Sequence, residues 1–177
     1  MSTFLLPLDD LPESGQDTLF AEQAAWTDPI HEFHLPYEVV SPFRAELMVQ
    51  AQGSGYLIQG HVTGSVSLPC DRCAELYQFE VDTGFELFEE PRYGQDVDGE
   101  GGELLRMTDN GLELDLGDLL WEQFLLALPV KPLCDLECAG ICPHCGQNLN
   151  QSRCECDQGP RDPRLDIFRK LQINKGT

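Results

Sequence analysis

Eight cysteines give this 177-residue chain its clearest chemistry. Six of them lie in the 23 residues from Cys134 to Cys156, and the other two form the separate pair Cys70 and Cys73. Thiolate sulfur is a preferred ligand of Zn²⁺, and four thiolates at about 2.3 Å complete a tetrahedral structural site. Two cysteines separated by two residues can hold one edge of that tetrahedron. Eight sulfurs are therefore enough for two zinc sites of four cysteines each.

The spacing of the cysteines divides them into four pairs of neighbouring ligands. Two pairs that follow one another in the sequence are joined by a short loop and can form a local site: Cys142, Cys145, Cys154 and Cys156. The remaining four cysteines then form the other site: Cys70, Cys73, Cys134 and Cys138. In the alternative arrangement one metal is shared by Cys134, Cys138, Cys142 and Cys145. In the first arrangement a zinc ion closes a loop of about sixty residues, and such a cross-link stabilises the fold by about 4 kcal/mol.

Two other uses of these thiols are disfavoured. The spacing from Cys138 through Cys142 to Cys145 occurs in iron–sulfur enzymes of the radical-SAM type, but the alternating strands and helices of their barrel are missing from the sequence. The Cys70-Asp71-Arg72-Cys73 stretch lies between two predicted strands, whereas redox-active pairs gain their low thiol pKa at a helix N-terminus. Arg72 itself is expected to pair with a nearby carboxylate.

The predicted sites contain structural rather than catalytic metal. Four thiolates leave no coordination position for the water molecule that a catalytic zinc activates. No nucleophile with a neighbouring base and no pair of catalytic carboxylates stands out. We therefore expect a protein that is not an enzyme, has no catalytic residues and takes no small-molecule substrate.

Apolar and polar residues alternate from Arg44 to Phe88, with turns at 53–55 and 69–73. Strict alternation is typical of antiparallel strands with one buried face. The pattern therefore predicts a β-meander in which Cys70 and Cys73 lie at the tip of a hairpin. Residues 104–114 predict a further short hairpin.

Asp115 is a favourable N-cap, and the apolar residues after it recur at helical spacing, so a helix is predicted over 116–128. Pro129 ends it. Its apolar face is expected to pack on the sheet. Leu125 and Leu126 extend that face, either as further core or as a surface for a partner, and core packing is the favoured interpretation. The fold class is α+β: an antiparallel β-meander packed by one helix, with a small cysteine-rich, zinc-ribbon-like segment near the C-terminus. The predicted parts are an acidic β-rich body over 1–130, a metal-binding segment over 131–160 and a short basic helix or tail over 161–177.

The charge of the chain is distributed very unevenly. The formal net charge is −20, and residues 1–130 carry 25 acidic and four basic side chains, against six and seven in residues 131–177. So negative a body repels phosphate backbones and attracts basic partners. We expect protein partners, and any direct contact with RNA would involve the cysteine-rich segment or the basic tail.

The N-terminal sequence predicts a cytoplasmic protein. MSTFLLPLDD has no basic region before its short apolar run, and no apolar stretch is long enough to cross a bilayer. In a reducing compartment clustered cysteines are metal ligands more often than disulfides.

Several motifs together resemble the bacterial YceD family, whose members are described as large ribosomal RNA subunit accumulation proteins. They are the CDRC hairpin, LALPVKPLC, CAGICPHCGQNLN with its trailing cysteines, and DPRLDIFRKL. Cys70 and Cys73 match the first cysteine pair of the family, with Arg72 as its arginine. The second cluster of the family is matched by Cys134, Cys138, Cys142, Cys145, Cys154 and Cys156. The resemblance implies an accessory factor in large-subunit ribosomal RNA accumulation or processing, or in ribosome assembly, with ribosomal or RNA-processing protein partners.

A second hypothesis is a zinc- or redox-responsive regulatory or adaptor protein that binds a basic protein partner. Metal release coupled to unfolding is natural for sites of this kind.

Overall fold

The computed structural model describes residues 4–91 and 104–156. The described chain forms two antiparallel sheets and two helices. The strands are β1 (Leu5–Pro7), β2 (Gln16–Phe20), β3 (Glu38–Gln52), β4 (Gly55–Pro69), β5 (Leu76–Glu89), β6 (Leu105–Thr108) and β7 (Gly111–Asp115). The helices are α1 (Ala24–Glu32) and α2 (Leu116–Ala127).

The larger sheet has the strand order β2-β3-β4-β5 and contains the predicted meander. One face of β3 and β4 is buried because its residues alternate in the way the sequence predicts; Ala45, Val49 and Val62 are fully buried. The hairpin of β4 and β5 is in register up to Pro69 opposite Leu76. Cys70 and Cys73 therefore extend from the tip of a long, well-paired ribbon.

The smaller sheet has the order β1-β7-β6 and leads directly into α2. Asp115 is both the last residue of β7 and the N-cap of α2, and its side chain accepts a hydrogen bond from the backbone N–H of Asp118 at 3.0 Å. This cap satisfies one of the N–H groups that a helix start leaves unpaired. The predicted hairpin at 104–114 and the predicted helix are both present, so α2 follows the small sheet without a loop.

Aromatic side chains join the helices to the larger sheet. Phe43 of β3 is fully buried and contacts Trp26 of α1 and Phe124 of α2, with ring centroids 5.3 Å away in each case. Paired rings of this kind stabilise a core beyond the area they bury. The core thus connects the sheet that presents Cys70 and Cys73 with the helix that leads to Cys134.

The α+β class with its antiparallel strands is confirmed, but three details of the prediction were wrong. The chain has a second helix, α1, and its strands form two sheets rather than one. Leu125 and Leu126 are 43% and 70% exposed because the face of α2 that carries them turns away from the sheet. The helix or tail predicted over 161–177 lies outside the described residues.

Candidate metal centres

The first cysteine pair lies in a tight turn stabilised by its own backbone. The N–H of Cys70 donates to the carbonyl of Glu75 at 2.9 Å, and the N–H of Ala74 donates to the carbonyl of Cys70 at 2.8 Å. Ala74 has a φ of 60°, in the left-handed region that residues with a Cβ rarely adopt. The N–H of Arg72 donates to Cys70 Sγ at 3.5 Å. The turn therefore directs a backbone donor toward a sulfur and leaves both sulfurs facing the same side.

The second turn, around Cys142 and Cys145, repeats this pattern bond for bond. The N–H of Cys142 donates to the carbonyl of Gln147 at 2.8 Å, and the N–H of Gly146 donates to the carbonyl of Cys142 at 2.9 Å. Gly146 has a φ of 73°, and the N–H of His144 donates to Cys142 Sγ at 3.5 Å. Two stretches with different sequences thus adopt the same turn, and what they share is a Cys-x-x-Cys spacing. This common geometry suits the presentation of two thiolates to one metal ion.

The structure brings the eight sulfurs together in two groups, each with its sulfurs within 4.8 Å of one another. The first group, called the clamp tetrad here, consists of Cys70, Cys73, Cys134 and Cys138. The second group, called the local tetrad, consists of Cys142, Cys145, Cys154 and Cys156. These are the two sets of the first arrangement, and the grouping favours it over the alternative in which Cys134, Cys138, Cys142 and Cys145 share a metal.

The sulfur–sulfur distances of the clamp tetrad fit a tetrahedral ion. Four sulfurs at about 2.3 Å from a central zinc lie about 3.8 Å from one another. The sulfurs of Cys70 and Cys138 are 3.8 Å apart, and those of Cys73 and Cys134 are 3.7 Å apart. These two distances are opposite edges of the tetrahedron. The donor set and its spacing thus match zinc, and they are far from the roughly 2.05 Å of a disulfide.

The two tetrads differ in what surrounds them. In the clamp tetrad Cys70, Cys73 and Cys138 are buried, and Tyr77 and Leu133 pack against them. The clamp tetrad also joins β4 and β5 to the segment after α2, and Cys73 and Cys134 are 61 positions apart in the sequence. All four ligands of the local tetrad lie in one short segment, and Cys145 is exposed. The clamp tetrad is therefore placed to stabilise the whole fold, and the local tetrad to stabilise its own segment.

Arg72 fastens the cysteine-rich segment to the first turn. Its guanidinium donates to the carbonyls of Leu136 and Cys138 at 3.0 and 2.9 Å, while its own carbonyl accepts from the N–H of Ile141 at 3.0 Å. The expected pairing with a carboxylate is not found among the residues that the structure describes. The partners of Arg72 are instead the backbone carbonyls of Leu136 and Cys138. The cysteine-rich segment folds back over the turn and brings these two acceptors to the guanidinium, which satisfies them.

Asn150 links the two tetrads, and nothing in the sequence pattern identified it. Its side-chain amide donates to Cys138 Sγ at 3.2 Å, and its carbonyl oxygen accepts from the N–H of Ala139 at 2.7 Å. Asn150 belongs to the loop between Cys145 and Cys154 of the local tetrad. A residue of one tetrad's loop therefore supplies a donor to a sulfur of the other.

Each tetrad contains a thiol with a lowered pKa. Burial alone would raise the pKa of Cys70, but backbone hydrogen bonds from Cys134, Cys73 and Arg72 outweigh it and lower this pKa to about 6. Backbone hydrogen bonds from Cys145 and His144 lower the pKa of Cys142 to about 6. At least one sulfur of each tetrad is thus a thiolate at neutral pH.

Each tetrad also contains a thiol that keeps its proton. Loss of hydration and hydrogen bonds with Cys138 and Cys70 raise the pKa of Cys134 to about 12. A hydrogen bond with Cys145, together with loss of hydration, raises the pKa of Cys156 to about 12. Without a cation only part of each tetrad is ionised, since several thiolates repel one another at these distances.

The structure is that of an α+β protein with two groups of four cysteines. No helix among the described residues is long and apolar enough to span a bilayer. A family model, described as the large ribosomal RNA subunit accumulation protein YceD, matches residues 58–172. The chain belongs to the YceD family.

Two curated relatives illustrate the similarity. An uncharacterized protein of Mycobacterium tuberculosis is 31% identical over 105 residues, which are 59% of this chain and 50% of that protein. The second relative is named large ribosomal RNA subunit accumulation protein YCED homolog 1, chloroplastic, and comes from Arabidopsis thaliana. It is 27% identical over 148 residues, and the match covers 67% of this chain and 46% of the Arabidopsis protein. The chain therefore spans about half the length of the curated relatives it matches. No solved structure matches it.

Proposed function

We propose that the protein is a non-enzymatic, zinc-binding accessory factor in large-subunit ribosomal RNA accumulation or processing, or in ribosome assembly. Family membership supports the connection with ribosomal RNA. The single observation that carries the structural part is the grouping of all eight cysteines into two complete sets of four. A complete set of thiolates holds an ion without an open position for substrate or water.

The proposed role of the metal is to hold the cysteine-rich segment on the body. The clamp tetrad joins the tip of the β4–β5 hairpin to the chain that leaves α2. Arg72 and the tight turn at Cys70 add hydrogen bonds to the same junction. We infer that both ions are Zn²⁺, that all eight cysteines are ligands, and that neither ion takes part in a reaction.

The proposed partners are basic proteins of the ribosome or of RNA processing. The body carries 25 acidic side chains and four basic ones. Such a charge attracts basic proteins, which abound on ribosomal RNA, and repels bare phosphate. The proposed compartment is the cytoplasm, where reduced thiols are available to bind metal.

The function is tested in cells of the source organism that lack the gene. We expect less large-subunit ribosomal RNA relative to small-subunit RNA, and restoration by the unchanged chain. A chain with Cys134→Ser should restore the large-subunit RNA less well than a chain with Leu19→Ser does. Leu19→Ser is the matched control, because Leu19 is an exposed residue of β2. A normal ratio of the two RNAs without the gene would contradict the proposal.

A redox-responsive regulator remains the second candidate, and the exposed Cys145 of the local tetrad is the observation that favours it. Oxidation of an accessible thiolate would release zinc and unfold the segment. Mild peroxide should then release one zinc per chain and change binding to the basic partner. Zinc loss without a change in binding would remove this candidate.

A further inference from the structure

A cleft between α1 and the start of α2 plays no part in the metal centres. It encloses about 180 Å³, and its lining combines the aromatic side chains of Phe33 and Trp121 with the carboxylates of Asp28 and Asp118. The two rings stack with their centroids 6.3 Å apart and an angle of 18° between their planes. The cleft therefore has an aromatic wall and an acidic edge.

The aromatic wall is open to solvent. Phe33 is 55% exposed although it stacks on Trp121. Leu125 follows Trp121 by four residues on α2 and is 43% exposed, so the apolar surface continues along the same side of the helix. Large apolar side chains grouped at the surface of a folded protein mark interaction sites.

The acidic edge already binds one guanidinium. Arg106 forms an ion pair with Asp115 at 2.9 Å and another with Asp118. The lining contains three carboxylates, on Asp28, Asp115 and Asp118, and one guanidinium. The cleft is thus net negative, within a body that is itself strongly negative.

We propose that this cleft docks a protein segment rich in lysine or arginine, with an apolar side chain of the segment against Phe33 and Trp121. Aromatic anchors within a charged rim are typical of the centres of protein interfaces. Basic side chains gain both from the carboxylates and from the faces of the two rings. An amphipathic basic helix presents its charged and apolar groups close enough together to use both parts of the cleft. A nucleic acid would instead face repulsion between its phosphates and the carboxylates.

This inference deepens the proposed function, because it locates the surface through which the acidic body meets a basic partner. The probe is a short synthetic helical peptide with lysine on one face and leucine on the other, labelled for fluorescence anisotropy with the full chain. A second peptide has serine in place of leucine. We expect the first peptide to bind about tenfold more tightly than the second, because only it has an apolar anchor.

Two pairs of variants separate the cleft from general charge. Phe33→Ser should weaken binding about tenfold, whereas Leu19→Ser, at a residue that is 68% exposed on β2, should change it less than about twofold. Asp28→Asn should weaken binding about threefold, and Asp17→Asn, which removes the same charge from β2, less than about twofold. Phe33→Leu keeps an apolar side chain at this position and should weaken binding less than Phe33→Ser does. Urea unfolding of each variant checks that it is folded.

Equal effects of the two members of either pair, or equal affinity for the two peptides, would overturn the inference. A single-stranded RNA oligonucleotide that binds the chain and loses affinity with Phe33→Ser would overturn it as well. In cells, full restoration of large-subunit ribosomal RNA by the Phe33→Ser chain would count against the cleft and leave the proposed function intact. A normal RNA ratio in cells without the gene would overturn the proposed function whatever the cleft binds.

Discussion

Loss of the clamp tetrad should destabilise the whole body, and loss of the local tetrad should not. Cys134→Ser and Cys145→Ser are a matched pair, because each removes one exposed thiol from a different tetrad. Neither change removes a side chain from the core. Each variant should lose one zinc ion per chain, as measured by elemental analysis.

The size of the difference follows from the loop that each ion closes. The clamp tetrad joins Cys73 to Cys134, 61 positions away, and the entropy of closing such a loop corresponds to about 4 kcal/mol at 25 °C. The free energy of unfolding should fall by about that amount in Cys134→Ser. The local tetrad joins only residues of its own segment, so in Cys145→Ser the unfolding of the body should change by less than about 1 kcal/mol.

Urea unfolding followed by tryptophan fluorescence measures this difference. Both tryptophans, Trp26 and Trp121, belong to the body; Trp26 is fully buried, so its emission reports the core rather than the cysteine-rich segment. Equal losses in the two variants, or a larger loss in Cys145→Ser, would refute the reasoning that the clamp tetrad is the cross-link of the fold.

Three further predictions concern the turns and the thiols. Arg72→Lys should lower the free energy of unfolding by about 1–2 kcal/mol, because one nitrogen of Arg72, Nη1, donates to both carbonyls and the ammonium of the shorter lysine side chain ends one bond before that position. Chemical denaturation measures the change, and no loss of stability would contradict the role of Arg72. Ala74→Gly should raise the free energy of unfolding by about 0.5 kcal/mol, because Ala74 has a positive φ that glycine adopts without strain. Gly146→Ala should lower the free energy of unfolding by about 0.5 kcal/mol for the same reason, since φ is positive there too and no atom would contact the added Cβ. Thermal unfolding of the zinc-loaded protein checks the direction of each change. Zinc binding to the metal-free protein near pH 7.5 should release at most three protons per ion rather than four, because the lowered pKa of Cys70 and of Cys142 leaves one thiol of each tetrad already ionised while Cys134 and Cys156 keep their protons. Affinity should therefore rise with pH, and more steeply below about pH 6, where Cys70 and Cys142 also become protonated; calorimetry in buffers of different ionisation enthalpy counts the protons, and a release of four near pH 7.5 would contradict the pKa values.

The parts of the fold that the sequence predicted are those with a strong local signal. The alternation between Arg44 and Phe88 has one period that only a half-buried strand explains, and Asp115 before an apolar helical pattern indicates a capped helix. Helix α1 was missed because Pro29 lies inside it and its N-cap, Gln23, makes no side-chain cap. Strand β1 has three residues and pairs with β7, more than a hundred residues away, so no local pattern indicates it.

The grouping of the cysteines followed from their number and spacing, but the contacts around them did not. The two turns have the same hydrogen bonds, yet Ala74 occupies the position that Gly146 occupies in the other, so their equivalence is hidden in the sequence. Arg72 lies among acidic neighbours, which favoured a carboxylate partner. Its actual acceptors are carbonyls 64 and 66 positions away, and such backbone partners are visible only once the segment is folded back.

We propose that eight thiolates hold two structural zinc ions, one of which ties the cysteine-rich segment to the sheet. Elemental analysis of protein purified without oxygen, combined with titration of its reactive thiols, measures both the metal and its ligands. We expect two zinc ions per chain, slow thiol reaction in the folded protein, and eight reactive thiols after denaturation with a chelator. A fully folded protein without metal, or one with a coloured iron–sulfur centre, would contradict it.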